Sequence, residues 1–159
     1  MVWNHIKWFN RWENWGDPSK IDPLLIVLLD EIRDIYGKPF IIHCAYETSG
    51  HAPNSYHYLG RAVDFHIKDD KSFSHQVNEM LQILDIISLK VENYSLHKPY
   101  RFLYPIADYV GLGIYPNWEH PGFHLDTRGY RARWARIGDK YVSFEQGLEY
   151  IKKKEKGEL

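Results

Sequence analysis

The chain has 159 residues, of which 44% are hydrophobic, 26% charged and 16% aromatic, and its formal net charge is −1. This composition predicts one globular domain over residues 1–159, large enough to bury a core without disulfide bonds. The near-neutral charge excludes a global attraction to nucleic acid, and no apolar run approaches the roughly 18 residues of a membrane span.

The N-terminus and the single cysteine limit where the protein is expected to work. Residues 1–8 lack the basic region and apolar stretch of a signal peptide, which predicts a protein that stays in the cytoplasm unless another device exports it. Cys44 has no second cysteine with which to form an internal disulfide, and a lone cysteine in a predicted strand is more often a packing residue than a nucleophile. We expect the protein to be a monomer.

The first predicted elements are a helix and a strand. Asp22 fits an N-cap, Pro23 occupies the first helical position, and apolar residues follow at helical spacing until Gly37. The near-continuous apolar run over residues 39–46 then predicts a strand. We expect both elements to be scaffold.

The most informative segment is residues 55–64, which read Ser-Tyr-His-Tyr-Leu-Gly-Arg-Ala-Val-Asp. Apolar and polar residues alternate over residues 61–67, which predicts a half-buried strand with Asp64 on its polar face. Gly60 permits a turn immediately before that strand. His57 is therefore expected to fold back toward Asp64, with space for an ion between them.

The second half of the chain adds a strand with another histidine. A helix is predicted over residues 72–88, followed by an irregular, tyrosine-rich stretch over residues 93–104 and a strand over residues 109–115. In the strand that comes next, alternation places His124 and Asp126 side by side on one face. One strand therefore offers a nitrogen ligand and a carboxylate.

The C-terminal region contains a basic run and a last helix. The run consists of Arg128, Arg131, Arg133 and Arg136, interleaved with aromatic residues. It is compatible with a nucleic-acid patch, with a surface that meets an anionic glycan or a peptide carboxylate, or with a salt-bridged exposed strand, and the absence of net positive charge disfavours the first. A Ser-x-x-Gln capping box at residues 143–146 predicts the start of the last helix.

The two histidine segments together predict a metal site. Two imidazoles and one carboxylate from separate segments are able to form a three-ligand Zn²⁺ site with an open fourth position, which is typical of a hydrolase rather than of a structural zinc site. His57 and Asp64 converge at the turn, and His124 joins them from another strand. Three other histidines lie nearby in the sequence, His43, His51 and His66. A lone histidine is more often an ordinary polar residue than a metal ligand.

The spacing of these residues resembles that of a known family. Ser-x-His-x-x-Gly-x-Ala-x-Asp, followed by a late His-x-Asp, is similar to the M15-type zinc peptidases, the group of D-alanyl-D-alanine carboxypeptidases and phage endolysins that shares its fold with the hedgehog signalling domain. Residues 113–116, 123–128 and 133–134 match further parts of the pattern, so the resemblance covers roughly residues 20–135. It implies an α+β fold, with a small, mainly antiparallel sheet, helices on one face and a zinc cleft on the other. It also implies that His57, Asp64 and His124 are the ligands.

One departure from the family concerns the substrate. Relatives carry Gly-Tyr-Arg-Ser after the strand that precedes the first motif, and their arginine is thought to hold a substrate carboxylate, but Glu47 stands at that position here. A glutamate repels a carboxylate, which favours an internal cross-peptide bond or a different anionic clamp, such as Arg61 or Arg128. Tyr115 is a further candidate to hold the substrate or an oxyanion.

A second departure concerns the residue that moves protons. Many relatives place an acid three positions before the last histidine ligand, and this position is Pro121. Asp126 is the first candidate for the general base, because alternation places it beside His124; alternatively, it orients the imidazole of that ligand. Glu119 and His120 are the other candidates, because they lie in a loop next to the predicted strand.

The resemblance implies a zinc-dependent hydrolase that cuts an amide bond in the D-residue-containing stem or cross-link peptides of peptidoglycan. Without a signal peptide, such a protein is expected to reach the cell wall by phage lysis or with a phage tail. The alternative is a non-catalytic cell-wall-binding or phage structural module that keeps the fold. Glu47 and Pro121 are the residues that favour this alternative.

Overall fold

A computed structural model describes residues 2–89 and 106–159 and shows an α+β fold with a six-stranded mixed sheet. The stretch over residues 93–104 that we expected to be irregular lies outside the described residues. Within the described ranges there are three α-helices, α1 (Pro23–Tyr36), α2 (Phe73–Ser88) and α3 (Phe144–Glu155). The strands are β1 (Phe40–Cys44), β2 (Ala62–Ile67), β3 (Gly111–Tyr115), β4 (Gly122–Asp126), β5 (Ala132–Ile137) and β6 (Lys140–Ser143).

The helix ends follow the predicted capping chemistry. The carboxylate of Asp22 accepts a hydrogen bond from the backbone of Leu24, with Pro23 in the first turn, and α1 ends at Gly37. At the start of α3, Ser143 and Gln146 form both hydrogen bonds of the capping box. None of the helices in the described ranges has the length and apolar character required to cross a membrane.

The sheet has the strand order β1-β2-β4-β3-β5-β6. All neighbouring strands are antiparallel except β3 and β5, which are parallel. This exception arises because the chain crosses from β4 over β3 and adds β5 at the other edge of β3, where β5 runs in the same direction as β3. The sheet is therefore mixed and mainly antiparallel, and β5 is formed by part of the basic run.

The two faces of the sheet have different chemistry, because side chains alternate along each strand. One face carries Phe65, Phe123 and Ile114, which are fully buried and belong to the hydrophobic core that includes α1 and α2. The ring of Phe73 in α2, for example, lies 5.2 Å from the ring of Phe123. The opposite face carries polar residues, and the site described below lies on it.

Candidate metal centre

The turn before β2 positions His57. The backbone N–H of His57 donates to the hydroxyl of Ser55, and Gly60 ends the turn with a left-handed φ of 68°. A Cβ at residue 60 would also collide with the carbonyl oxygen of Lys20. Only glycine fits this position without strain, and the turn then directs the His57 ring toward Asp64.

The structure brings the three predicted ligands together. The Nε2 atom of His57 lies 3.3 Å from Oδ1 of Asp64, and Nδ1 of His124 lies 2.9 Å from the same oxygen. The candidate ligand atoms of the three residues are all within 4.8 Å of one another. Register explains this proximity, because Asp64 of β2 pairs directly with His124 of β4. These residues are able to bind a metal ion.

Each imidazole is oriented by a second hydrogen bond. Nδ1 of His57 lies 2.7 Å from the carbonyl oxygen of Ala45. Because a carbonyl oxygen only accepts hydrogen bonds, Nδ1 carries the hydrogen, and Nε2 is free to bind a metal ion. Nε2 of His124 lies 2.7 Å from Oδ2 of Asp126, which leaves Nδ1 to bind a metal ion. Histidines that bind metals in proteins are held in this way.

Asp126 links the candidate metal centre to Arg128. It is fully buried, and Arg128 donates to its two oxygens from Nε and from the guanidinium end, both at 2.8 Å. Burial by itself raises the pKa of Asp126, but the hydrogen bonds from Arg128 and His124 outweigh burial and hold the pKa at about 2. A Cβ at Gly111 would collide with this ion pair, so a residue without a side chain is needed opposite Asp126.

The three candidates for proton transfer lie in different places. Asp126 has both oxygens engaged by His124 and Arg128, an arrangement that suits the alternative role of orienting the imidazole. The ring of His120 stacks on His66 at 4.6 Å, and Glu119 is exposed. Neither Glu119 nor His120 lines the cleft that contains the three ligands.

Cys44 and His51 form a second group with His57, which the sequence analysis missed. The candidate ligand atoms of these three residues also lie within 4.8 Å of one another. The ring of His51 stacks on His57 with centroids 4.1 Å apart, and the Tyr58 hydroxyl fixes the His51 backbone by accepting from its N–H and donating to its carbonyl. Because both groups contain His57, an ion bound to its Nε2 occupies one group or the other. In the sequence, the one indication of this group was that His51 precedes His57 by only six residues.

The three candidate ligands lie in a cleft of about 870 Å³. Its lining includes aromatic residues from three parts of the chain, Tyr115, Trp118, Trp134 and Tyr141. Two of the three predicted substrate contacts, Arg128 and Tyr115, line this cleft. The third, Arg61, does not: its guanidinium donates to the Thr127 carbonyl and lies 4.0 Å from the Asp22 carboxylate.

The metal-free protein is expected to lose stability as the pH rises from about 6.5 to about 9. Burial by itself lowers the pKa of His124, but Asp126 and Asp64 outweigh burial and raise it from 6.5 to about 9. The folded state then holds a proton that the unfolded state has released, so this contribution is present below pH 6.5 and is lost as the pH passes 9. Thermal unfolding of chelator-treated protein across this interval measures the effect.

The control for this experiment is His124→Gln, which has no titrating imidazole at residue 124. Its metal-free form should lack this decline, and so should the parent protein loaded with a divalent metal, because an imidazole that ligates a metal is deprotonated at the ligating nitrogen. An identical decline in parent and variant would contradict the prediction.

A scan against protein-family models and searches of curated proteins and of solved structures found no match to this chain. The function must therefore be inferred from the chemistry of the site. Two imidazole nitrogens and one carboxylate oxygen are a donor set that is able to bind a divalent transition-metal ion.

Proposed function

We propose that the protein is a zinc-dependent hydrolase that cleaves an amide bond in the D-residue-containing stem or cross-link peptides of peptidoglycan. The observation that supports this proposal most strongly is the convergence of His57, Asp64 and His124 in one cleft. The proposed fold relationship is to the M15-type zinc peptidases and the hedgehog domain, on the basis of the sequence motif together with the α+β architecture.

The donor set and its surroundings fit a zinc ion. Three protein ligands are the number found in catalytic zinc sites, whereas structural sites have four. When bound, zinc polarises a carbonyl and lowers the pKa of a bound water to about 7. The carbonyl of Ala45 and the carboxylate of Asp126 supply the outer hydrogen bonds that such ligands require.

Other residues of the site position the imidazole ligands and the aromatic wall of the cleft. Asp126 orients His124, and Arg128 in turn holds Asp126 in place through its paired hydrogen bonds. Trp134 covers His124 with ring centroids 5.3 Å apart, and its indole N–H donates to the Tyr115 hydroxyl at 3.2 Å. Burial raises the pKa of Tyr115, so its hydroxyl keeps a proton that it can donate to a substrate oxygen.

Digestion of purified peptidoglycan tests the proposed function. Zinc-loaded protein is expected to release new peptide fragments that mass spectrometry detects, chelator treatment should abolish their release, and added zinc should restore it. Analysis of the fragments also identifies the bond that is cut. Metal-free protein that still cleaves wall peptides at the full rate would refute the mechanism.

A non-catalytic wall-binding module is the second candidate function. Among the described residues, Asp64 is the sole carboxylate that lines the cleft, and it is one of the three candidate ligands. Neither Glu119 nor His120 lines the cleft, and the ring of His120 stacks on His66. Retention of the protein on whole sacculi without any cleavage product would favour the binding module over the hydrolase. Such a module would be delivered to the wall with a phage particle.

A further inference from the structure

The cleft contains two arginines, and their electrostatic surroundings differ. The guanidinium of Arg128 is paired with the buried carboxylate of Asp126 through two hydrogen bonds of 2.8 Å. Arg136 has no ion pair with a carboxylate anywhere in residues 2–89 and 106–159, and its hydrogen bond goes to the hydroxyl of Tyr141 at 3.3 Å. The uncompensated positive charge of the cleft therefore belongs to Arg136.

Tyr141 holds this arginine in a defined position. The two residues pair directly across β5 and β6, and the Arg136 guanidinium lies over the Tyr141 ring, 4.9 Å from its centroid. Stacking on an aromatic face orients a guanidinium while its N–H groups remain available at the edge. Arg136 is half-buried and Tyr141 is 62% exposed, so the pair is accessible from the cleft.

Strand register relates the pair to the candidate metal centre. His124 of β4 pairs with Gly113 of β3, which pairs with Trp134 of β5, and Arg136 is two residues further along β5 on the same face. Two strand spacings of about 4.8 Å and two residues of about 3.3 Å place the Cα atoms of His124 and Arg136 roughly 12 Å apart. About three residues of extended peptide cover this distance.

We propose that Arg136, stacked on Tyr141, is a carboxylate-binding site at the end of the cleft remote from His124. A peptide whose carbonyl group reaches the metal ligands would place a free carboxylate against the guanidinium, which is the geometry that arginine recognises through two parallel hydrogen bonds. The anion can be the C-terminal carboxylate or a side-chain carboxylate. That the ligand is a peptide rests on the proposed function, whereas its carboxylate chemistry rests on Arg136 and its surroundings.

Calorimetric titration with three matched peptides tests this site in the zinc-loaded protein. The probes are diacetyl-L-Lys-D-Ala-D-Ala, its C-terminal amide, and the C-terminal amide of diacetyl-L-Lys-D-Ala-D-Glu, whose carboxylate is in the side chain. At least one acid should bind more tightly than the carboxylate-free amide, and the preferred acid identifies the source of the anion. Mass spectrometry after each titration records whether a peptide has been cut.

The variants separate Arg136 from a general effect of charge. Arg136→Gln should weaken binding of the preferred acid about tenfold to a hundredfold and leave the amide within about twofold, because one charged hydrogen-bonding group is lost. Arg136→Lys should retain part of the affinity, since charge remains without the planar guanidinium. Arg131→Gln is the matched control, because Arg131 is exposed, is paired with Asp108 and does not line the cleft.

The proposal is overturned by any of three results: acids and amide bind equally, no probe binds at millimolar concentration, or Arg131→Gln weakens binding as much as Arg136→Gln does. Thermal unfolding of each variant shows whether it is folded, and Tyr141→Phe provides a second, milder perturbation of the same site. If the acids bind in a way that depends on Arg136 but no probe is cleaved, the carboxylate site is supported and only the proposed hydrolase function is contradicted.

Discussion

Replacing His124 with alanine is expected to remove stoichiometric zinc from the purified protein and to reduce peptide hydrolysis to the level of the metal-free form. His124 supplies one of three candidate ligand atoms within 4.8 Å of one another, and two protein ligands hold zinc far less tightly than three. His57→Ala should have the same effect. Elemental analysis of the zinc content and the peptidoglycan digest measure the two losses separately.

A comparison of two variants identifies which group of residues holds the ion. His124→Ala disrupts the group of His57, Asp64 and His124 alone, whereas His51→Ala disrupts the group of Cys44, His51 and His57 alone. Zinc that is lost in His51→Ala and retained in His124→Ala would contradict the proposed centre and place the ion in the second group. His75→Ala is the control, because His75 lies on α2 with a partly exposed side chain beside Glu79.

Replacing Asp126 with alanine is expected to lower the free energy of unfolding by about 3–5 kcal/mol, because the substitution leaves the Arg128 guanidinium without its partner in a largely buried position. The Asp126 side chain is 0% exposed and that of Arg128 is 16% exposed. Loss of the hydrogen bond to His124 should also weaken zinc binding about tenfold to a hundredfold. Chemical denaturation measures the first effect and a competitive zinc titration the second.

An exposed ion pair provides the matched control for this substitution. Asp108 and Arg131 are 3.0 Å apart with side chains 45% and 56% exposed, so Asp108→Ala should cost less than about 1 kcal/mol. Asp126→Asn should fall between the two, because the amide keeps one oxygen that accepts a hydrogen bond. If Asp126→Ala unfolded at the same denaturant concentration as Asp108→Ala and bound zinc normally, the positioning role of Asp126 would be wrong.

The local sequence predicted the convergence of His57 and Asp64, whereas the choice of His124 as the third candidate ligand rested on the resemblance to the M15-type motif. The period of two along residues 61–67 placed Asp64 on the polar face, and Gly60 indicated the turn that returns His57 to it. The structure has both features, with β2 over Ala62–Ile67 and a left-handed Gly60. These predictions depend on near neighbours in sequence, for which the periodicity of a strand is informative.

Contacts between distant segments could not be predicted in the same way. Alternation placed Asp126 beside His124 but did not indicate that Arg128 folds back and occupies both of its oxygens. The stacking of His51 on His57 depends on the loop between them and on the Tyr58 hydroxyl. The position of His120 against His66 likewise depends on the course of the loop before β4.

Sequence patterns alone indicated which residue types are available for a metal and which face of each strand they occupy, and the family resemblance implied helices combined with a mainly antiparallel sheet. Which arginine of the cleft has a carboxylate partner became apparent only from the folded chain. Arg128 and Arg136 both belong to the basic run, yet one is neutralised by Asp126 and the other rests on Tyr141. The physical reason is that alternation fixes the face on which a side chain lies, whereas its charge partner depends on which strands the sheet places next to each other.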